Sequence, residues 1–299
     1  RDLHLSIRRQ RQMCIRDSRI RDGYRSLSET VAKFSLHSIA FEPNQITYGE
    51  HKLIEESLSA DVSFTPATHI VEELRHRKDG LEIEILSDAV RMADSAMAEA
   101  ARCLEEGIRE YEVADVIERA LKMAGADGTA FDTIVASGPN AALPHHKAEG
   151  RVISEGDSVV IDMGALYQGY RSDLTRTYFV GDSDRSKYDE IYNIVLEAQI
   201  TAEESARAGM LGSELDGIAR DIIGGYGYDS LFGHGLGHGV GIDVHELPMV
   251  VPSSGDRILP GSVFTIEPGI YVPGWGGVRI EDILVMGDIS AQVLTLSPK

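Results

Sequence analysis

Residues 158–180 read SVVIDMGALYQGYRSDLTRTYFV, the pattern of a β-hairpin in which two runs rich in β-branched and aromatic residues flank a short polar turn. If the turn is centred between Tyr167 and Gln168, opposed residue numbers sum to 335 and Asp162 faces Asp173. Their Cβ atoms would then lie about 5 Å apart. Two ionised carboxylates at that separation repel by roughly 3 kcal/mol at an effective dielectric near 20. The pair must therefore share a proton or hold a multivalent cation.

A second stretch, residues 261–286, repeats this arrangement with the sequence GSVFTIEPGIYVPGWGGVRIEDILVM. With the turn centred on Gly274, opposed numbers sum to 548 and Glu267 faces Glu281. Like charges directly opposite each other destabilise a hairpin, so two acidic pairs in one chain need a common explanation. Together they predict a metal site built from four carboxylates.

The helical patterns around the two hairpins also repeat. Helices are predicted before the first hairpin and before the second, at about residues 80–104 and 111–124, and 187–208 and 213–224. The segment EGDSVVIDMG in the first half matches PGSVFTIEPG in the second, which aligns Asp162 with Glu267. We therefore predict an α/β (α+β) domain of two related halves about a pseudo-two-fold axis, with curved antiparallel strands inside and helices outside.

Histidines concentrate in the glycine-rich run GHGLGHGVGIDVHE, which holds His234, His238 and His245. Its glycines make a helix costly, at about 1 kcal/mol each, so we expect a loop that leads into a strand. In a regular strand His238 and His245 would point to opposite faces, because their numbers differ by an odd step. If both face the carboxylates, the strand must contain at least one irregularity.

Composition narrows the functional classes. The net charge is −19 and the pI is near 4.9, which disfavours nucleic acid and anionic membrane surfaces as partners. We find no run of about 18 apolar residues, so we expect no membrane span. Cys14 and Cys103 provide neither a disulfide framework nor a CxxC metal motif. We expect a cytoplasmic protein that binds neither nucleic acid nor membrane.

The amino-terminal residues differ in character from the rest. Residues 1–25 carry eight Arg and three Asp without a helical or strand period, and we interpret them as a non-native or disordered segment. A basic disordered arm is the alternative. Residues 26–80 contain a strand pattern, SLHSIAFE, and a helix pattern capped by Thr47 with Glu50 three residues on. These short elements predict the end of a domain whose beginning is missing, followed by the main domain at 81–299.

Five motifs in order, IDMG, SDLTRT, HGLGHGVGIDVHE, TIEPGIY and VRIED, resemble one enzyme family. They are similar to the Xaa-Pro peptidases, meaning Xaa-Pro aminopeptidase and Xaa-Pro dipeptidase (prolidase), of the creatinase/methionine aminopeptidase superfamily, metallopeptidase family M24. The resemblance is strong over about residues 85–290 and weaker over 26–80, which it identifies as the end of a creatinase-type N-terminal domain. It implies the pita-bread fold of that superfamily for residues 81–299.

The resemblance implies a role for individual residues of the motifs. The implied metal ligands are Asp162, Asp173, His238, Glu267 and Glu281. Asp173 and Glu281 would bridge two ions. The hairpin patterns alone predict the four acids, whereas the choice of His238 over His234 rests on the resemblance. The implied catalytic and substrate-binding residues are His145, His234, His245, Glu267 and Arg279. Tyr271 and Trp275 are expected as walls of the site.

The implied chemistry is metal-assisted hydrolysis of the peptide bond before proline. Water that bridges two divalent ions loses a proton near neutral pH and attacks the carbonyl. Glu267 would carry the proton to the leaving nitrogen, and His245 would donate to the developing oxyanion. Oxygen and nitrogen ligands without thiolate suit Mn²⁺, which we expect, or else Co²⁺ or Zn²⁺. The expected partners are a proline-containing peptide and a second copy of the chain in a homodimer.

Two alternatives remain open. A methionine aminopeptidase-like enzyme shares the ligand set, but His234 precedes the ligand histidine here, as it does in the Xaa-Pro branch. A metal-free binding module of the same fold, or creatinase itself, would be expected to lack part of the ligand set. Aminopeptidase and dipeptidase activity are not distinguished by the motifs.

Overall fold

The computed structural model describes residues 23–299. Residues 1–22, and with them most of the segment interpreted as non-native, lie outside the described residues, whereas Gly23 to Arg25 belong to the first helix. The chain divides into two compact units, one up to Val71 and one from Glu72 to Lys299. Within residues 23–299, no helix combines the length and the hydropathy that a membrane span requires.

The described part of the first unit is a small α/β arrangement. Its elements are α1 (Gly23–Lys33), β1 (Ser38–Phe41), α2 (Tyr48–Ser57) and β2 (Ser63–Pro66), with α3 (Ile70–His76) following. Strands β1 and β2 pair in parallel. The Thr47 hydroxyl accepts from the Glu50 backbone, and the Glu50 carboxylate accepts from the Thr47 backbone, as predicted. This reciprocal capping determines where α2 begins.

The second unit contains a pair of packed helices in each half. The pairs are α4 (Gly80–Cys103) with α5 (Glu110–Ala124), and α6 (Ser186–Ser205) with α7 (Gly212–Gly225). Asp79 caps α4, whose buried stripe recurs at helical spacing from Ile85 to Ala100. Each pair buries its apolar face in a separate large cluster of hydrophobic side chains. The predicted arrangement of two related α/β halves is confirmed.

The strands of the second unit all pair antiparallel. The first half contains β3 (Gly128–Thr129), β4 (Ile134–Ser137), β5 (Ser158–Met163), β6 (Ala165–Tyr167), β7 (Tyr170–Arg171) and β8 (Leu174–Phe179). The second half contains β9 (Gly237–Gly239), β10 (Glu246–Val250), β11 (Val263–Ile266), β12 (Gly269–Val272), β13 (Gly276–Arg279), β14 (Asp282–Met286) and β15 (Ala291–Val293). The sheets run β4-β5-β8 and β3-β6-β7 in the first half, and β10-β9-β11-β14-β15 and β12-β13 in the second.

The predicted register of the first hairpin is wrong by two residues. Asp162 pairs with Thr175, so opposed numbers sum to 337 rather than 335. The cause is the turn, in which Gln168 and Gly169 have φ angles of 48° and 85° and form a tight two-residue connection that matches the strand twist. A shift of two residues keeps side chains on the same face, so Asp162 and Asp173 remain diagonal neighbours.

The predicted register of the second hairpin is confirmed. Strand pairs on both sides of the acidic residues, such as Gly269 with Arg279, have numbers that sum to 548. Glu267 and Glu281 therefore lie opposite each other, at the break between two ladders. The hairpin closes through a three-residue turn around Gly274, whose φ of 78° costs glycine little.

Candidate active site

Three buried groups that could ligate a metal ion converge where the two hairpins meet. Asp173 lies between β7 and β8, His238 lies on β9, and Glu281 lies between β13 and β14. One ligand atom of each lies within 4.8 Å of the others. The first half thus provides one acid, and the second half provides the other acid and the histidine.

The other two predicted ligands border this cluster. Glu267 Oε1 lies 3.2 Å from His238 Nε2, and Asp162 Oδ2 accepts a hydrogen bond of 2.6 Å from Arg279 Nη2. The Oδ1 atom of Asp162 and the Oε1 atom of Glu281 are buried without a hydrogen-bond partner. Buried carboxylate oxygens normally have a donor or a cation beside them, so a metal ion ligated by these oxygens fits the site.

The cluster of acids is electrostatically unfavourable without a cation. Burial, followed by the charges of Glu281 and Asp162, raises the pKa of Asp173 well above its usual range. Burial likewise raises the pKa of Glu281, with the charges of Glu267 and Asp162 adding to the effect. Burial also raises the pKa of Asp162. A bound divalent cation would reverse these shifts, because its charge favours the ionised acids.

Glu267 and His238 compensate each other's charge. Burial alone would raise the pKa of Glu267, but the hydrogen bond and the charge of His238 lower it to about 2. Burial alone would lower the pKa of His238, and the interaction with Glu267 raises it instead. His238 Nδ1 donates to the Gly239 carbonyl at 3.1 Å, which orients Nε2 toward the acids. Such a carbonyl behind the ring is the usual support of a metal-binding histidine.

A chain of hydrogen bonds links Arg279 to His234. Arg279 Nη1 donates to Tyr271 Oη at 2.8 Å, and Tyr271 Oη lies 2.8 Å from His234 Nε2. His234 Nδ1 lies 2.7 Å from the Gly235 carbonyl, so Nδ1 carries the proton and Nε2 accepts from the Tyr271 hydroxyl. Burial lowers the pKa of His234, which agrees with a neutral ring. Tyr271 therefore connects a cation to a histidine.

His245 faces the same site as His238 because the strand between them is irregular. The two ring centroids are 4.2 Å apart. Strand β9 ends at Gly239, and the pairing of β10 shifts register between Glu246 and Met249. Burial and the neighbouring His238 lower the pKa of His245. The predicted irregularity is confirmed.

The loop that carries His145 is held by a buried acid that no sequence pattern indicated. Glu110, at the start of α5, accepts from Ser137 N at 2.8 Å, from Asn140 Nδ2 at 3.0 Å and from His146 Nε2 at 2.9 Å. Burial would raise the pKa of Glu110, but these hydrogen bonds lower it. Its partners lie 27 to 36 residues further along the chain, so no local pattern signals the contact.

Thr175 is a second site residue that was missed, although a signal for it was present. Its hydroxyl donates to Glu281 Oε2 at 2.7 Å and accepts from Arg279 Nε at 3.1 Å. It stands two residues after Asp173, so strand alternation alone would have placed it on the same face.

A cavity of about 530 Å³ contains all nine predicted site residues in its lining. The five predicted metal ligands lie together in this lining. Another part of the lining is apolar and consists of Phe131, Ile134, Val244, Met249 and Val251. Neither Tyr271 nor Trp275 lines it, so the expectation that they form its walls is wrong. Trp275 instead packs under the Lys187 ammonium, 4.7 Å from the ring centroid.

Two family models match the chain. That of metallopeptidase family M24 covers residues 84–288, and that of the creatinase/prolidase N-terminal domain covers residues 4–76. The chain belongs to metallopeptidase family M24. The predicted resemblance to the Xaa-Pro peptidases of this family, the pita-bread fold and the prediction of a metallopeptidase are confirmed.

Relatives with named activities cover most of the chain. It is 50% identical to the Xaa-Pro dipeptidase of Pyrococcus furiosus over 232 residues, which are 78% of this chain and 66% of that protein. The structure of Xaa-Pro dipeptidase from Bacillus anthracis matches with a TM-score of 0.89 at 41% identity, over 92% of this chain and 77% of that one. X-Pro aminopeptidase from Thermotoga maritima gives a TM-score of 0.87 at 38% identity, with the same coverage of 92% and 77%. The chain thus spans about two thirds to three quarters of these relatives' length.

Proposed function

We propose that this M24 chain is an Xaa-Pro peptidase, which hydrolyses the bond before proline at the N-terminus of a peptide or in a dipeptide. The observation that carries the proposal is the convergence of Asp173, His238 and Glu281 in one cavity, beside two buried carboxylate oxygens without partners. Relatives named Xaa-Pro dipeptidase and X-Pro aminopeptidase support the substrate class.

The five predicted ligands would hold two divalent ions, with Asp173 and Glu281 shared between them. The unpartnered oxygens of Asp162 and Glu281 support this assignment, as does the support of His238 by a backbone carbonyl. Oxygen and imidazole ligands favour Mn²⁺, with Co²⁺ and Zn²⁺ as alternatives. When bound, the ions lower the pKa of water and act as Lewis acids toward the scissile carbonyl.

Proton transfer and orientation fall to the chain's own residues. The Glu267 side chain is 17% exposed against 6% for Asp173, so a substrate reaches it more easily. Its carboxylate would accept the proton that the attacking water loses and pass it to the leaving prolyl nitrogen. His245 would donate to the developing oxyanion from its neutral ring. Arg279 keeps Asp162 oriented, Tyr271 holds the His234 ring in place through Nε2, and His145 would contact the substrate from its loop.

The apolar wall accounts for a preference for proline. A prolyl imide has no N–H, so a site made for it needs a close-fitting apolar surface rather than an acceptor at that point. Phe131, Ile134 and Val244 provide such surface in the cavity. Discrimination by fit against an ordinary residue is worth about 1–3 kcal/mol, so the preference should be large but not absolute.

Peptide hydrolysis in the presence of Mn²⁺ tests the proposal. We expect Ala-Pro-Ala to be cleaved faster than Ala-Ala-Ala and Met-Ala-Ser, and the comparison of Ala-Pro-Ala with Gly-Pro separates aminopeptidase from dipeptidase activity. Faster cleavage of Met-Ala-Ser would contradict the proposal and favour the methionine aminopeptidase alternative. The homodimer, the cytoplasmic location and the division into residues 1–25, 26–80 and 81–299 stay predictions.

A further inference from the structure

Arg176 is a fully buried cation, and none of its hydrogen bonds involves the side chain of a predicted metal ligand. It lies on β8 with 1% of its surface exposed. Its guanidinium donates from Nε to Pro298 O, from Nη1 to Thr175 O and Glu281 O, and from Nη2 to Asp282 Oδ1 and Ser297 O. These five acceptors use every N–H that an arginine side chain has. A buried charge with so complete a set of partners is held in one orientation.

The acceptors of Arg176 belong to three separate stretches of the chain. The Thr175 carbonyl lies on the strand of the first hairpin, and Glu281 and Asp282 lie on the second hairpin. Ser297 and Pro298 belong to the C-terminal stretch, which Asp94 on α4 also holds through Ser297 N at 2.8 Å. Arg176 therefore ties the two halves together directly behind the acids.

This tie fixes the backbone of Glu281. The Glu281 carbonyl accepts from Arg176 Nη1 at 2.6 Å, and its N–H donates to Thr175 O at 3.1 Å, the same carbonyl that Arg176 binds at 2.9 Å. The side chain is held by Thr175 Oγ1 at 2.7 Å from Oε2, which leaves Oε1 buried and without a partner. Thr175 and Arg176 are adjacent on a strand and point to opposite faces, one toward the site and one away from it.

We propose that Arg176 is a positioning residue that sets the metal-binding geometry of Glu281, an inference that rests on the proposed metal site. Asp282 anchors the far side of the guanidinium. Its carboxylate is fully buried and also accepts from Gln199 Nε2 at 2.8 Å and pairs with Lys299 Nζ at 2.7 Å. Arg176 thus transmits the rigidity of this buried polar cluster to the backbone of a ligand that would bridge both ions.

Arginine is required for this role because of its shape. A lysine ammonium carries its three donors on a single atom. It can pair with Asp282, but it cannot at the same time donate to the Thr175 and Glu281 carbonyls, which Arg176 reaches from its other terminal nitrogen. Arg176→Lys therefore keeps the buried charge and removes the tie to Thr175 and Glu281. Arg151→Lys is the control, because Arg151 also holds a carboxylate, Asp157, through two bonds of 2.6 and 3.1 Å and contacts none of the predicted ligands. Its side chain is 28% exposed against 2% for Arg176, so a smaller loss of stability is expected for the control.

The test titrates metal-free wild type and both variants with Mn²⁺ alone, by calorimetry, and follows hydrogen exchange of residues 278–283 in the metal-free proteins. We expect Arg176→Lys to lose about 10–100-fold in Mn²⁺ affinity, as removal of an outer partner of a ligand commonly does. Its residues 278–283 should also exchange faster. Arg151→Lys should show neither change, although we expect both variants to lower the melting temperature.

Equal Mn²⁺ affinity and equal exchange in Arg176→Lys and wild type would overturn the inference, as would equal losses in both variants. If wild type itself binds no Mn²⁺, the proposed metal site fails, and the exchange of residues 278–283 still decides whether Arg176 fixes Glu281. Should Arg176→Lys not fold, Asp282→Asn replaces it, because the guanidinium then keeps its four carbonyls and loses its charged anchor. Wild-type affinity and wild-type exchange in that variant would refute the positioning role.

Discussion

Replacing Tyr271 by phenylalanine removes a single oxygen from the chain of hydrogen bonds behind the cavity. That oxygen accepts from Arg279 Nη1 at 2.8 Å and donates to His234 Nε2 at 2.8 Å. A hydrogen bond to a charged group contributes about 1.5–3 kcal/mol, and one between neutral groups about 1 kcal/mol. Arg279 keeps Asp162 and Thr175 as partners, so the expected loss lies toward the lower end, at about 2 kcal/mol of stability.

The same substitution should reduce kcat/KM for Ala-Pro-Ala by up to about 30-fold, the factor that corresponds to about 2 kcal/mol in activation free energy, because the hydroxyl orients Arg279 and His234 beside the cavity. Tyr170→Phe is the matched control. Tyr170 and Tyr271 are both 7% exposed, and the Tyr170 hydroxyl donates at 2.7 Å to Glu82, away from the cavity. We expect the two variants to have similar melting temperatures and to differ in kcat/KM. Wild-type kcat/KM in Tyr271→Phe would refute the role assigned to this hydroxyl.

Three further outcomes are expected. A chelator should lower the melting temperature, because a metal ion at about 100 times its Kd stabilises the folded state by roughly 2.7 kcal/mol. Asp173→Asn should weaken this response in a thermal shift assay. An undiminished response would contradict the role of Asp173 as a metal ligand. Gly164→Ala should destabilise the chain by about 1–3 kcal/mol in urea unfolding, because a Cβ at Gly164 would collide with the Ser172 carbonyl. Gly217→Ala is the control and should not destabilise the chain, because a Cβ at this position on α7 meets open space. Equal unfolding midpoints for the two variants would exclude the collision. Burial and a neighbouring carboxylate raise the pKa of Glu203 from 4.5 to about 7, so the folded state binds this proton more tightly than the unfolded chain does. The contribution of Glu203 to the free energy of unfolding is therefore full below about pH 4.5 and is lost as pH rises through about 7. Glu203→Gln should flatten that part of the curve of unfolding free energy against pH. An unchanged curve would show that another group titrates there.

The alternation of side chains along the strands of the two hairpins provided most of the information from which the site was predicted. The second hairpin was predicted in the correct register because its turn is symmetric about Gly274. The first was displaced by two residues because Gln168 adopts a left-handed conformation that is uncommon for a residue with a side chain. The error left the acids on one face, since strand side chains alternate with a period of two.

Residues whose partners are distant in sequence were not predictable in this way. Glu110 binds a loop 27 to 36 residues away, and Arg176 contacts groups up to 122 residues away, so no local periodicity identifies either. The choice of His238 over His234 as the proposed metal ligand also could not be made from residue spacing. It depends on which ring nitrogens are engaged: His234 is held by Tyr271 and Gly235, whereas His238 turns Nε2 toward the acids.

The most direct test of the proposed function is to titrate metal-free protein with Mn²⁺ while recording both bound metal and the cleavage of Ala-Pro-Ala. We expect no cleavage without metal and an increase that saturates as about two ions bind per chain, because the ligand set with two shared carboxylates suits a dinuclear site. Full cleavage by metal-free protein, or tight Mn²⁺ binding that leaves Ala-Pro-Ala intact, would contradict the assignment of this cavity as a metal-dependent Xaa-Pro peptidase site.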